Sequence, residues 1–420
     1  MWTLYLNFIL YFFTFVYYQR KEGFFSIRVF VLLLYCIFSV SGIVTLQTGI
    51  YNNMFGSFNL NNLSLVPYLC NYVLVLYLIY SIPRINFSSL PENKILQSKF
   101  IFYSESFFIV LSIVFLALQY LWYQTFSDVA LADIYERGYT GEEDKYVFSS
   151  TILRVIYYRS NALLTYAVPF FYLIEFAKMA MGYNYKKPLI IVLLMFIPQV
   201  LIGYFSASRG TIVFQIANLF FFVVYFWYYI PVKVRTIITT SLMSLGVLII
   251  SLILAISLSR AGENSVESQN EIYRYFGEAF PNLGLRVWDV DGIHLYGMRK
   301  FPEIYGQFAE IPKSIVSYNN PNLFFEAYSS FPIQNFKTLY GDLYCEWGAV
   351  LPFVIVVAYV RIALFLQGYL RNTLFSLIIQ FCIYRILVYG LFNADISQTS
   401  VISLFSLFVI AKYLNSKTVN

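Results

Sequence analysis

The stretch IRVFVLLLYCIFSVSGIVTL, residues 27–46, is an apolar run of twenty residues with one charged side chain, Arg28, near its start. A bilayer core about 30 Å thick is crossed by a helix of roughly 20 apolar residues. The stretch therefore predicts a membrane-spanning helix. Because similar runs recur between short polar breaks, the sequence predicts an all-α polytopic membrane protein.

The composition supports the same class. The chain has 420 residues, of which 59% are hydrophobic and 12% charged, and its mean hydropathy is +0.66, whereas soluble domains carry about 25% charged residues. The net charge of +6 does not indicate nucleic acid as a partner, because Lys and Arg in a membrane protein mark cytoplasmic loops. The four cysteines form no disulfide or metal pattern.

Eleven segments are predicted to span the bilayer, within a range of 10–12. The first is interpreted as a retained span and not as a cleaved signal peptide, because it lacks a basic start and a small-residue cleavage site. The predicted spans are 2–18, 27–46, 64–82, 101–122, 158–180, 188–206, 211–230, 237–257, 347–366, 372–391 and 398–414.

Charged residues predict the sidedness of the loops. Basic loops, such as those around Arg20, Lys186 and Lys233, alternate with loops that have few cations, and the positive-inside rule makes the basic loops cytoplasmic. Segment 47–63 has no Lys or Arg, and segment 123–148 is dominated by acidic residues. The N-terminus is therefore expected outside and the C-terminus inside.

One long polar segment interrupts the spans and divides the chain into three regions. Residues 1–258 form a first transmembrane part with about eight spans, 259–346 form a large outer segment, and 347–420 form a second part with about three spans. Segment 259–346 is too long for a connector. Its apolar residues recur at helical spacing, so it is expected to form short helices that lie over the outward mouth of the bundle like a lid.

Two Ser-x-Ser-Arg steps stand where apolar runs end, in YFSASRGTIV (204–213) and AISLSRAGEN (255–264). They place Arg209 and Arg260 at the predicted outer surface, against the charge rule. Guanidinium groups bind phosphate oxygens in bidentate fashion, and Ser208 and Gly210 would add a hydroxyl and an accessible backbone N–H. A phosphate site that works without a metal is one interpretation. The other is that each arginine extends to water or pairs with an acid.

Further cations could belong to the same site. Arg154 and Arg159 also lie at the predicted outer surface, and Arg286 lies in the outer segment. Arg385 lies within a predicted span, where it either contacts substrate or pairs structurally. Its candidate partners are Glu105, Glu175 and Asp395.

The only histidine, His294, falls in the outer segment. Histidine titrates near neutrality and could take a proton from an acceptor hydroxyl, although it could equally be an ordinary surface residue. The carboxylates that compete for the role of base are Glu263, Asp289, Asp291 and Asp342. Asp289 and Asp291 also form an Asp-x-Asp step typical of metal-dependent sugar-nucleotide transferases, but such substrates are cytosolic and the segment is predicted outside. No metal or other cofactor is expected.

The chain resembles the O-antigen and oligosaccharide repeat-unit polymerases of bacterial envelopes, the Wzy type. The resemblance lies in YFSASRGTIV between two spans, in the long outer segment after the next pair of spans, and in the exit TLYGDLYCEWGAVLP (338–352) that leads into a span. Members of this family are often drawn with twelve or so spans.

The resemblance implies a glycosyltransferase of lipopolysaccharide biosynthesis in the inner membrane, with its active site facing the periplasm. Such enzymes transfer a growing chain from undecaprenyl pyrophosphate onto a new lipid-linked repeat unit, without a metal and with the help of outer-loop arginines. The resemblance points to Arg209 and Arg260 as site residues, and more loosely to His294. The resemblance also implies a flippase and a chain-length regulator as partners. A flippase or other transporter, and an O-antigen ligase, are the alternative functions.

Overall fold

The structure, a computed structural model, describes residues 1–55, 63–82, 96–126, 150–205, 209–261, 273, 275–288, 294–308, 336–370 and 374–416. Within these ranges the chain forms helices and contains no β-strand. The predicted all-α class is confirmed.

The described helices are numbered α1 to α15 in chain order, and a π-helical turn, Leu283–Val287, directly follows α10. Their bounds are α1 Trp2–Glu22, α2 Ile27–Gln47, α3 Ile50–Phe55, α4 Val66–Ser81, α5 Lys99–Phe126, α6 Thr151–Ala180, α7 Lys186–Phe205, α8 Arg209–Phe226, α9 Val232–Ala261, α10 Ala279–Asn282, α11 Pro302–Phe308, α12 Thr338–Trp347, α13 Leu351–Gly368, α14 Ser376–Tyr389 and α15 Gln398–Ser416.

Each of the eleven predicted spans overlaps one of these helices. Within the described ranges, seven helices are long and apolar enough to cross a membrane, namely α2, α5, α6, α7, α9, α13 and α15. Helices α4, α8 and α14 are apolar but shorter, and α1 is not among the seven. A multi-pass helical membrane protein is thus confirmed in outline, while the number eleven and the sidedness of the loops remain predictions.

Contacts divide the chain into two compact units. Unit 1 comprises Met1–Arg84, Asn264–Leu366 and Gln380–Phe405, and unit 2 comprises Ile85–Glu263, Gln367–Ile379 and Ser406–Asn420. This grouping is by contact and not by membrane topology. The predicted outer segment therefore belongs largely with the N-terminal helices, and its boundaries at 258 and 346 stay predictions.

The described part of the outer segment around α10 is packed into unit 1. Phe280 and Leu283 are buried, and α10 packs against α2 while the π-helical turn packs against α4 and α12. A Cβ on Gly277 would collide with the side chain of Thr45, so only glycine permits this approach. Residues 275–288 are therefore core elements, which differs from the expected lid lying over the bundle, whereas α11 has no buried residue.

Polar side chains tie α4 to the elements around it in unit 1. Asn71 Nδ2 donates to Tyr11 Oη at 3.1 Å, and Asn71 Oδ1 accepts from the backbone N–H of Tyr340 at 3.0 Å. Tyr68 Oη donates to the carbonyl of Phe280 at 3.1 Å. All of these hydrogen bonds are buried. They fix α12 and the end of the outer segment against the N-terminal helices.

Unit 2 buries a cluster of charges between α5, α6 and α7. Lys178 Nζ contacts both Glu105 and Glu175, the latter at 3.0 Å, and Lys187 Nζ lies 3.0 Å from Glu105 Oε2. Glu105, Glu175 and Lys178 are buried, whereas the Lys187 side chain is 60% exposed. These four residues are called the Lys178 network below. The network joins the ends of three successive helices.

Candidate functional site

The described part of the outer segment converges on α12. Asp342 and Glu346 stand four residues apart on this helix, so their side chains share one face. Both side chains are 0% exposed. Two buried carboxylates need cationic or hydrogen-bonding partners, because an isolated buried charge is costly.

Three cations from two other parts of the chain meet these carboxylates. Arg299 bridges them, with Nη2 at 2.5 Å from Asp342 Oδ1 and Nε at 2.6 Å from Glu346 Oε1. Lys300 Nζ lies 2.6 Å from Asp342 Oδ2, and Lys337 Nζ lies 4.0 Å from Asp342 Oδ1. These five residues are called the Asp342 network. It fastens the turn before α11 to the buried face of α12.

Backbone contacts complete this junction. The N–H of Ala394 donates to Asp342 Oδ2 at 3.0 Å, and Lys300 Nζ donates to the Ala394 carbonyl at 2.6 Å. The N–H groups of Lys337 and Thr338 both donate to the Phe392 carbonyl, at 2.6 and 3.0 Å. The chain after α14 therefore forms part of the same site.

Burial and the neighbouring charges determine the protonation of Asp342 and Lys337. Burial opposes ionisation of Asp342, but the charges of Arg299, Lys300 and Lys337 outweigh it and hold the pKa of this carboxyl well below its usual range. Burial, followed by the Arg299 charge, lowers the pKa of Lys337 to about 8, although Asp342 opposes the shift. Asp342 is thus a permanently ionised structural anion. The hypothesis that it competes for the role of general base is wrong, because a base must accept a proton near neutral pH.

His294 lies beside the C-terminal end of α12. Its ring meets Tyr344 edge to face with centroids 5.3 Å apart, and a Cβ on Gly348 would lie 3.1 Å from His294 Nε2. The following turn is held by the N–H of Tyr296, which donates to the Glu346 carbonyl at 2.6 Å. His294 Nδ1 is buried and has no hydrogen-bond partner among the described residues.

The charge state of His294 follows from this position. Burial lowers its pKa, against the opposing effect of the backbone at Tyr344 and Cys345. The shift favours the neutral imidazole. A neutral imidazole is the form that can accept a proton, so the structure is compatible with the predicted role but does not test it.

Arg286 lies in the π-helical turn and is 1% exposed. Its guanidinium carbon lies 5.9 Å from the centroid of the Tyr51 ring. Tyr51 Oη donates to Asn282 Oδ1 at 2.6 Å, and Asn282 Nδ2 donates to Glu278 Oε1 at 2.7 Å. Arg286 is thus embedded in a buried polar cluster, at a helical irregularity of the kind often found at functional sites.

Arg385 pairs with one of its three predicted partners. Arg385 Nη2 lies 3.0 Å from Asp395 Oδ2 in unit 1, and the guanidinium lies 5.1 Å from the Tyr389 ring. Glu105 and Glu175 belong instead to the Lys178 network of unit 2. The structural pairing is therefore observed, and a contact of Arg385 with substrate stays a prediction.

The remaining predicted site residues lie in unit 2. Arg154 is half-buried and Arg159 exposed, both near the start of α6. Arg209 and Gly210 begin α8, and Arg260 lies in the last turn of α9. Ser208 and the side chains of Arg209 and Arg260 lie outside the described part of the structure, as do Glu263, Asp289 and Asp291.

The predicted residues therefore fall into two groups. His294, Arg286 and Arg385 belong to unit 1, whereas the group around Arg209 belongs to unit 2. The sequence analysis missed Arg299, Lys300 and Lys337. The i, i+4 spacing of Asp342 and Glu346 was the only local sign, and it does not reveal which cations face it.

Within the described ranges, no group of three or more His, Cys, Asp or Glu side chains is arranged to hold a metal ion. Comparison with known proteins gives no match to a family model, a curated protein or a solved structure.

Proposed function

We propose that the protein is a polymerase of lipid-linked oligosaccharide repeat units, acting at the outer face of a bacterial inner membrane. An acceptor hydroxyl attacks the anomeric carbon of the growing chain, and the bond from that carbon to undecaprenyl pyrophosphate breaks. A glycosidic bond forms, the pyrophosphate leaves with the bonding electrons, and a base takes the hydroxyl proton. The proposal rests on the resemblance stated above together with the following local features.

The start of α8 is the observation that carries the proposal. Helix α8 begins at Arg209 and Gly210, and three residues separate it from Phe205, the last described residue of the apolar helix α7. The first four N–H groups of a helix have no acceptor within it, and the helix dipole favours an anion there. An arginine and a glycine in the first turn add a cation and an unobstructed backbone. This combination suits a pyrophosphate group.

Arg260 is placed differently from Arg209. Helices α8 and α9 contain 18 and 30 residues and are connected by residues 227–231. Both arginines belong to the ends away from this connection, and at 1.5 Å per residue the helices differ in length by about 18 Å. We therefore assign Arg209 to the leaving pyrophosphate, and Arg260 to a second anionic group, that of the other lipid-linked substrate.

His294 is the base of the proposed reaction. Its half-buried position lowers the pKa of the imidazole, which favours the neutral form that a proton acceptor needs. The Asp342 network holds the following turn, residues 296–300, against α12 and so restrains the segment that carries His294. In this proposal the network positions the base and does not contact substrate.

The test is polymer formation by purified protein supplied with a defined undecaprenyl-pyrophosphate-linked repeat unit, read as a ladder of glycan lengths. Arg209→Ala should lower the rate about 10²–10³-fold, since a donor aimed at developing charge contributes on the order of 2.7–4 kcal/mol. Arg209→Lys should stay clearly impaired, because lysine lacks the planar fork. The reaction should continue with EDTA present.

Arg235→Gln is the matched control. Arg235 lies at the opposite end of α9 from Arg260, and its Nε donates to the Ile230 carbonyl at 2.7 Å. The Arg235→Gln variant should still produce the full ladder of glycan lengths. Since Arg209 and Arg260 bind separate groups, the losses of transition-state stabilisation in the double variant should add, so that the decreases in rate multiply. Normal ladders from both Arg209→Ala and Arg260→Ala would refute the proposal, and loss of activity with EDTA, restored by manganese, would redirect attention to Asp289 and Asp291.

A lipid-linked oligosaccharide flippase is the second candidate, and the Lys178 network favours it. Ionisable groups buried within apolar helices are typical of transport pathways, and Glu175 Oε2 is buried without a hydrogen-bond partner in the described structure. Transfer of a labelled lipid-linked unit across proteoliposomes, abolished by Glu175→Gln, would support this function. An O-antigen ligase would instead be identified by transfer to a lipid A core acceptor.

A further inference from the structure

An open groove of about 430 Å³ runs along the C-terminal half of α1. It is lined by Phe13, Val16, Tyr17, Arg20 and Lys21. These positions follow the i, i+3, i+4, i+7, i+8 pattern, which places them on one stripe of the helix. The stripe changes from apolar to cationic within two turns.

The apolar part of the stripe is exposed. Phe13 is 67% and Tyr17 56% exposed. Lys21 extends back over this part, with Nζ at 3.3 Å from Tyr17 Oη and 5.4 Å from the centroid of the Tyr17 ring. The groove thus presents an aromatic surface with positive charge at one end.

The neighbouring carboxylate contacts residues that follow α1. Glu22 Oε1 accepts from Arg28 at 2.7 Å, and Glu22 Oε2 accepts from Ser26 at 2.6 Å. The helix dipole favours cations in the last turn of α1. The exposed aromatic residues three and seven positions before Arg20 lie in the predicted span 2–18, where they would face acyl chains.

We propose that this groove binds an anionic phospholipid, whose phosphate lies between Arg20 and Lys21 and whose acyl chain lies along Phe13, Val16 and Tyr17. The charge of the groove selects the anionic headgroup, and basic sites next to spans on the cytoplasmic side are typical of such lipids. The positive-inside rule predicts that side for these residues. A free phosphate would make no contact with the aromatic part of the stripe, so the combination of aromatic and cationic residues points to a phospholipid.

The test is the binding of phosphatidylglycerol to the intact protein in detergent micelles, measured by native mass spectrometry, with phosphatidylcholine as the neutral lipid. Each cation near a membrane surface contributes about 1 kcal/mol to the attraction of anionic lipid, which is about fivefold in affinity. Arg20→Gln should weaken the tightest phosphatidylglycerol about fivefold, and Arg20→Gln with Lys21→Gln about 30-fold. Phosphatidylcholine binding should not change.

Two further variants distinguish the proposal from simpler explanations. Phe13→Ser should also weaken the lipid, because the acyl chain loses its contact surface, and it leaves the charge unaltered. Arg235→Gln removes one cation from the same predicted side, but its guanidinium is held by the carbonyls of Ile230 and Tyr228. It should leave lipid affinity unchanged.

Three outcomes would overturn the proposal. The first is unaltered phosphatidylglycerol affinity in the Arg20 and Lys21 double variant. The second is an equal loss in Arg235→Gln, which would indicate a response to net charge alone. The third is displacement of the lipid by millimolar inorganic phosphate, with no effect of Phe13→Ser, which would identify a phosphate site without an acyl-chain component.

Discussion

The Asp342 network of unit 1 and the Lys178 network of unit 2 both bury charge, but their balance of charge differs. In the first, Arg299, Lys300 and Lys337 face two carboxylates. In the second, two lysines face two carboxylates, and one of these lysines, Lys187, is largely exposed. The first network therefore has one cation more than it has carboxylates, whereas the second has two of each.

The difference matters because the two kinds of charge respond differently to a lost partner. A buried carboxylate can become neutral by taking up a proton. Arginine cannot lose its proton in a protein. The Asp342 network thus contains one fixed charge, Arg299, and forms a clamp that joins distant parts of the chain, whereas the Lys178 network contains no arginine. Four substitutions test this contrast.

Asp342→Asn should have the largest effect. It leaves the buried Lys337 and the largely buried Arg299 and Lys300 around a neutral side chain of the same shape, and breaking a buried ion network in this way costs about 3–5 kcal/mol of unfolding free energy. Denaturant unfolding in detergent micelles measures the loss. Glu303→Gln on exposed α11 is the control and should change stability by less than about 0.5 kcal/mol. Equal stability of Asp342→Asn and the wild type would contradict the clamp.

Lys178→Met should cost less, about 3 kcal/mol at pH 7, at the low end of the range for broken buried pairs. Glu105 keeps Lys187 as a partner at 3.0 Å, so only Glu175 loses its cation. The same unfolding measurement gives the loss. A loss that exceeds that of Asp342→Asn would reverse the proposed contrast.

Glu346→Gln should weaken the clamp moderately. The glutamine side chain would still offer Arg299 an acceptor at the position of the present 2.6 Å contact but would remove one negative charge. Hydrogen bonds to charged groups contribute about 1.5–3 kcal/mol to stability. Because the glutamine keeps an acceptor, the loss of unfolding free energy should lie near the lower end of this range. The same variant should slow glycan polymerisation if the clamp restrains the His294 segment. Unchanged polymerisation with reduced stability would show that the clamp serves the fold alone.

Lys337→Met should alter how stability depends on pH. Below about pH 8 the Lys337 amine is charged in both the folded and the unfolded chain, so the cost of burying it is constant. Between about pH 8 and about pH 10.4, the usual lysine pKa, the unfolded chain binds a proton that the folded chain lacks. Stability should therefore rise with pH there, by at most about 1.4 kcal/mol per unit.

The variant lacks the amine, so the stability of the wild type relative to Lys337→Met should rise across that interval. Comparing the two chains removes contributions from tyrosine and cysteine residues that titrate in the same range. A difference that is constant from about pH 7 to about pH 10.5 would show that Lys337 keeps its proton through its contact with Asp342.

The positions of the apolar spans could be predicted from the sequence, whereas the partners of the polar site residues could not. Each predicted span overlaps a helix, because an apolar run long enough to cross a bilayer has few alternatives to a helix. The partner of Arg385 could be narrowed to three acids but not chosen, since the choice of Asp395 depends on how the chain returns after α14. Asp342 was misjudged as a possible base because its three cations come from residues 299, 300 and 337.

The sequence by itself determined the class of the protein, the approximate position of its helices, and where arginines stand at the ends of apolar runs. These properties are local, since hydrophobic length and charge act over one or two dozen residues. Only the tertiary structure decided that residues 275–288 enter the core of unit 1, that Asp342 is a clamp, and that Arg385 is paired. Those outcomes depend on contacts between residues brought together by the fold, where burial and facing charges set protonation and partners.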